Sequence, residues 1–173
     1  MVKELLMALL TTIVQIFASI LLSLGAIIIG LRLLDRLTAG IDEWQEIRKG
    51  NTAVGIFYAT AVLCLMILML PRIEDIVSLL NFGMPLLATV YYLALAAINF
   101  ILALCLSVVL LFVSVNILDK LTYDIDEIGA LKRGNIAVAL LMSMMLLAVT
   151  LAARAPMDST FLIVRAVEAI LTG

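Results

Sequence analysis

Eight oxygen-bearing side chains fall into two matched sets. Asp35, Thr38, Asp42 and Asn51 lie in the first half of the chain; Asp119, Thr122, Asp126 and Asn135 lie in the second, each 84 residues after its counterpart. Carboxylate, hydroxyl and amide oxygens are what hard cations bind, so a two-fold arrangement of the sets around an axis would make a cation site. The spacing is not that of an EF-hand loop. Arg32 and Arg36 stand within one helical turn of Asp35, and Lys120 adjoins Asp119, so ordinary ion pairs satisfy both carboxylates equally well.

The competing reading is structural. Gly40 or its counterpart Asp124 serves as the N-cap of a short helix, with Glu43 and Glu127 at the third helical position as in a capping box. Ile41, Trp44 and Ile47, matched by Ile125, Ile128 and Leu131, recur every three residues and give that helix one apolar face for the membrane interface, with Trp44 at headgroup depth. Arg48 and Lys49, like Lys132 and Arg133, suit its C-terminal dipole. Gly50 and Gly134 suit the left-handed residue that stops it, and Asn51 and Asn135 can cap the next helix.

Gln15 and Asn99 form a third matched pair, each near the middle of a long apolar run, where an amide facing lipid is costly. One reading is an interhelical hydrogen bond, of which a bond between the two repeats across the pseudo-axis is one form; the other is a polar constriction of a pore or a solute site. The apolar runs carry no ionisable residue in their interiors, which argues against a large aqueous path.

With no histidine, and with Cys64 and Cys105 in different apolar runs, the sequence offers no zinc or haem ligand set and no histidine-based hydrolase. No nucleophile motif or cofactor fingerprint is present, so neither an enzyme nor a bound cofactor is expected. Eleven basic residues against 13 acidic give no basic footprint for nucleic acid.

The elements that must position these residues are membrane spans. Of 173 residues, 65% are hydrophobic, and mean hydropathy is +1.26, a composition that belongs in lipid. About 20 apolar residues cross a hydrocarbon core about 30 Å thick. Four runs qualify or nearly so: Leu5 to Leu34, Thr52 to Leu70, Pro85 to Ile117, and Ile136 to Leu151. The first is too long for a signal peptide and ends in no small-residue cleavage site, so it is expected to stay. The first and third are longer than a bilayer needs and must tilt, kink or protrude. Arg72 to Phe82 and Asp158 to Leu171 are too short and too charged to span, and read as interfacial helices.

The strongest signal is self-similarity. Residues 34–54 align without a gap on residues 118–138, with 11 of 21 positions identical, and the same offset pairs Ser23 with Ser107 and Glu74 with Asp158. The chain therefore divides into two units, 1–84 and 85–173. Each crosses the membrane twice, so both enter with the same orientation, related by a pseudo-two-fold axis along the membrane normal. The fold class is all-α integral membrane, with four spans from two parallel-oriented repeats. Arg32, Arg36, Arg48, Lys49, Lys120, Lys132 and Arg133 lie on the loop side, against Lys3, Arg72, Arg154 and Arg165 opposite, which predicts cytoplasmic loops and outward termini.

The doubled pattern Asp-x-Leu-Thr-x-x-Ile-Asp-Glu, followed by basic-basic-Gly-Asn-x-Ala-Val, resembles the prokaryotic inner-membrane family catalogued as domain of unknown function 350, often called YjfL-like. The resemblance covers nearly the whole chain. It implies a four-span protein of duplicated hairpins whose signature positions here are Asp35, Thr38, Gly50 and Asn51, and Asp119, Thr122, Gly134 and Asn135. It implies no reaction, substrate or cofactor. The expected function is a non-catalytic, homo-oligomeric membrane scaffold, the alternative a small-ion or small-solute channel on the pseudo-axis.

Overall fold

The computed structural model describes residues 2–37, 43–80, 85–121 and 126–172, with side chains described for all of these except 37, 43, 86, 118–121 and 160–172. Six helices follow in order: α1 (Val2–Leu37), α2 (Glu43–Arg48), α3 (Thr52–Ser78), α4 (Leu86–Leu121), α5 (Glu127–Lys132) and α6 (Ile136–Thr172). No strand occurs among the described residues. The long helices α1, α3, α4 and α6 are each long and apolar enough to cross a membrane. The short helices α2 and α5 sit at equivalent places in the two hairpins, so the architecture is the predicted all-α, two-repeat, four-span one.

Helix α3 is the centre of the bundle. It packs most extensively against α6 and also against α4 and α1, while α4 touches α1 and α6; among the described residues α1 and α6 make little contact. Sequence explains why α3 can sit there. Ala53, Ala61 and Cys64 of α3 belong to one cluster with Ala26 of α1, Ala103 of α4 and Ala139 of α6, all fully buried. Small side chains let helix backbones approach closely, and close packing replaces the hydrophobic drive that lipid does not supply. Leu65, Met69, Leu111 and Leu146 fill the spaces between them. At Gly30 of α1 a Cβ would collide with the Leu65 side chain, so glycine is what admits α3 at that crossing.

Two expectations change here. Over the described residues the expected interfacial helices at Arg72 to Phe82 and Asp158 to Leu171 are not separate, because α3 continues unbroken to Ser78 and α6 to Thr172, with Pro71 and Pro156 inside them; residues 81 and 82 lie outside the described residues. Of those charges, Arg72 is paired with Asp75 and Asp158 within the bundle. Arg72 is buried, and its guanidinium reaches Asp75 Oδ2 at 3.0 Å and Asp158 Oδ1 at 3.3 Å. The helices that span therefore do carry ionisable side chains in their packed length.

Candidate functional site

The repeated loop residues build a junction between the two halves of the chain. Gly50 and Gly134 take positive φ, 81° and 76°, and end α2 and α5 as expected. This left-handed conformation turns the chain so that the next residue caps the following span. Asn51 Oδ1 accepts from the backbone N–H groups of Ala53 and Val54 at 3.1 and 3.2 Å. Asn135 Oδ1 does the same for Ala137 and Val138.

The two asparagines then part company. Asn51 Nδ2 crosses to the other repeat and donates to the carbonyl oxygens of Leu131 and Lys132 at 2.9 and 3.2 Å, while also reaching Glu46 Oε2. Those carbonyls close the last turn of α5, where the helix leaves acceptors without intrahelical donors. Asn135 is exposed. The Glu46 carboxylate also takes Lys49 Nζ at 2.8 Å. Hydrogen bonds from Lys49 first, then from Asn51, hold its pKa below the usual carboxylate range.

The cap of α5 differs from the expected one. Asp126, not Asp124, is the N-cap, with Oδ1 accepting from Gly129 N–H at 2.8 Å, so Glu127 opens the helix rather than standing at its third position. A Cβ on residue 129 would collide with the Asp126 carboxylate, so the cap needs glycine there. Helix α2 is described from Glu43 onward. Glu127 is buried, although most carboxylates in loops of this kind stay in water. Asp126 lies 3.9 Å from Arg133 across an exposed surface.

Asp35 accepts from the Tyr58 hydroxyl at 3.2 Å, and Tyr58 in turn packs edge-on against Trp44, with ring centroids 5.9 Å apart. Both aromatics belong to repeat one alone, since Met142 and Ile128 occupy the matching places. Thr38, Asp42 and Thr122, with Gly40 and Asp124, lie outside the described residues, as do the side chains of Glu43 and Asp119. Of the eight oxygen-bearing candidates, Asp35, Asn51, Asp126 and Asn135 therefore have described side chains, and each directs oxygen toward the chain's own donors. Among the described residues no three acidic or cysteine side chains converge.

Gln15 and Asn99 do not meet as a described hydrogen-bonded pair. Gln15 Nε2 donates to the Val77 carbonyl at 3.2 Å, a bond within the first repeat, next to the last residue of α3. That contact puts Gln15 at the end of α3 remote from the loops. Asn99 is buried in α4.

The second polar feature was not singled out from sequence. Arg72 of repeat one binds Asp158 of repeat two at the end of the α3–α6 seam opposite Asn51. About 20 residues of α3 separate the two cross-repeat contacts, roughly 30 Å of helix. The family model described as Domain of Unknown Function (DUF350) matches the chain twice, over residues 7–98 and 92–172. The chain belongs to this family. No curated protein and no solved structure matches it. Each DUF350 match takes in one hairpin, and the contacts at Asn51 and Arg72 add a polar link between the two DUF350 repeats at either end of their packed seam.

Proposed function

We propose that this DUF350 chain is a non-catalytic, homo-oligomeric scaffold of the plasma (inner) membrane. The observation that carries the reading is the imbalance between its helices. Helix α3 packs against three neighbours and buries residues along its length, whereas none of residues 2–25 of α1 is buried. A long helix that buries side chains in its own chain only from Ala26 onward, with Gln15 bonded to Val77 farther along, is suited to pack against other subunits. The paired caps and clamps of the loops act as fixings for a rigid hairpin. The test is copy number in lipid nanodiscs: a single, persistent monomer at every protein-to-lipid ratio overturns this reading, and a defined oligomer supports it.

The orientation that goes with it has the repeat loops cytoplasmic and both termini outside. Among the four basic residues counted against that arrangement, Arg72 is engaged inside the bundle, which leaves the bias to the loop side larger than the sequence suggested. Reporter fusions after Lys49 and before Val2 test it by giving opposite compartments.

A second reading, a small-ion or small-solute conduit, draws support from one observation, the buried Arg72 with its two carboxylates, since charges inside spanning helices mark transport paths. Flux through proteoliposomes that Arg72→Gln abolishes while the oligomer persists would favour it.

A further inference from the structure

The Gln15–Val77 bond sets α1 against α3 so that residues 2–14 of α1 run on past the end of α3, about 20 Å at 1.5 Å per residue. Leu5, Leu6, Leu9, Leu10 and Ile13 are all exposed along that extension. From Leu5 to Ile29 the exposed surface of α1 is apolar apart from small hydroxyls and Gln15, a column of about 37 Å against a hydrocarbon core of about 30 Å.

Part-way along this column lies a belt of charge. Glu74 stands three residues before Val77, and Arg154 stands one turn before Asp158. Both are exposed, and among the described residues neither forms an ion pair within the chain. No placement of the bilayer suits both features. A slab running from the loops to the belt leaves the α1 extension in water; a slab covering the extension puts Glu74 and Arg154 in hydrocarbon, at a cost of about 3 kcal/mol for each charge near the centre.

Glu74 also belongs to a definite face. Ala59, Leu63, Leu70, Glu74 and Ser78 are exposed residues of α3, spaced by four, seven, four and four, and so form one stripe along the helix. We propose that a second copy of this chain docks on this stripe, with Glu74 of one copy paired to Arg154 of the other. This rests on the oligomeric reading and names its interface. Charge complementarity selects the occupant. The two charges, without an ion pair among the described residues, are opposite in sign, share one belt and sit on one chain, and in a two-fold interface each meets the other twice. Lipid tails offer neither charge a partner.

The experiment measures self-association in nanodiscs for the wild-type chain, Glu74→Arg, Arg154→Glu and the double variant. Each single reversal sets like charges face to face and weakens association at least tenfold; the double variant restores it. A Leu70→Cys chain carrying Cys105→Ser gives a disulfide-linked dimer on mild oxidation, which tests the stripe even where a charge variant fails to fold. Association unchanged by both reversals, or a double variant no stronger than the singles, overturns the proposal, as does absence of the Leu70 cross-link in an oligomeric sample. A wild-type monomer at all lipid ratios instead removes the oligomeric reading itself and leaves lipid as the occupant.

Discussion

The side-chain amide of Asn51 lies 2.9 Å from the Leu131 carbonyl, 80 residues further along the chain, while its oxygen caps α3. The amide orientation follows from its surroundings, because N–H groups face the oxygen, and carbonyls with a carboxylate face the nitrogen. One residue thus completes the start of one helix and the end of another. Asn135, its repeat partner, completes only a start.

Removal of the two asparagines is therefore unequal. Asn135→Ala forfeits a cap, about 1 kcal/mol. Asn51→Ala forfeits the same cap and the bonds to Leu131 and Lys132, about 1 kcal/mol each, so its total loss is about 2–3 kcal/mol. Thermal unfolding of both variants in one detergent, followed by helical circular dichroism, should rank Asn51→Ala clearly lower. Equal melting shifts would mean the cross-repeat bonds contribute nothing.

At the opposite end of the seam, Arg72→Ala leaves two carboxylates facing each other without their shared cation. Breaking a fully buried pair costs about 3–5 kcal/mol. Asp75 and Asp158 keep 26% and 40% of their side-chain surface, so solvent offsets part of the loss and about 1–3 kcal/mol is expected. Asp158→Asn should cost less, because Arg72 keeps Asp75. Denaturation of the three chains in parallel checks the order; an Arg72→Ala chain as stable as wild type would show the bridge to be idle.

Much of this was legible in the sequence, and the parts that were not share a physical cause. The offset of 84 residues, the Gly-Asn stop and start, and the four spans all rest on local chemistry: propensity, capping and hydropathy act within a few residues. Arg72 was misjudged because charge in a window says nothing about a partner 86 residues away. The Asn51–Leu131 contact was invisible for the same reason, since identical Gly-Asn motifs give no hint that one amide reaches across and its twin does not. Asp126 in place of Asp124 is a two-residue error in helix start, the kind that pattern reading leaves.

Gly30 is a place where size alone decides. A Cβ there overlaps Leu65, which is 1% exposed and hemmed in by the core cluster. Gly30→Val adds three carbons and should cost about 1–3 kcal/mol through forced displacement of Leu65. Gly25, whose added Cβ would meet nothing, is the control: Gly25→Ala should be neutral or slightly stabilising, since alanine is the better helix former by about 1 kcal/mol. Melting temperatures moving in the same direction for both would contradict the crossing at Leu65.

Glu46 sets the acid limit of the loop junction. Its folded pKa lies below the unfolded value of about 4.3 because Lys49 and Asn51 bond the charged form. A group with a depressed folded pKa contributes stability that is present above the unfolded value and lost as pH falls through the folded one. The junction should therefore hold unchanged from neutral pH to about 5 and loosen below about 4. Hydrogen exchange at the Gly50 and Asn51 amides, followed down the pH scale after correction for intrinsic rates, reads that loosening. In Glu46→Gln the charge is gone at every pH, so the acid step at those amides should flatten; a step of unchanged size would place its origin in another carboxylate.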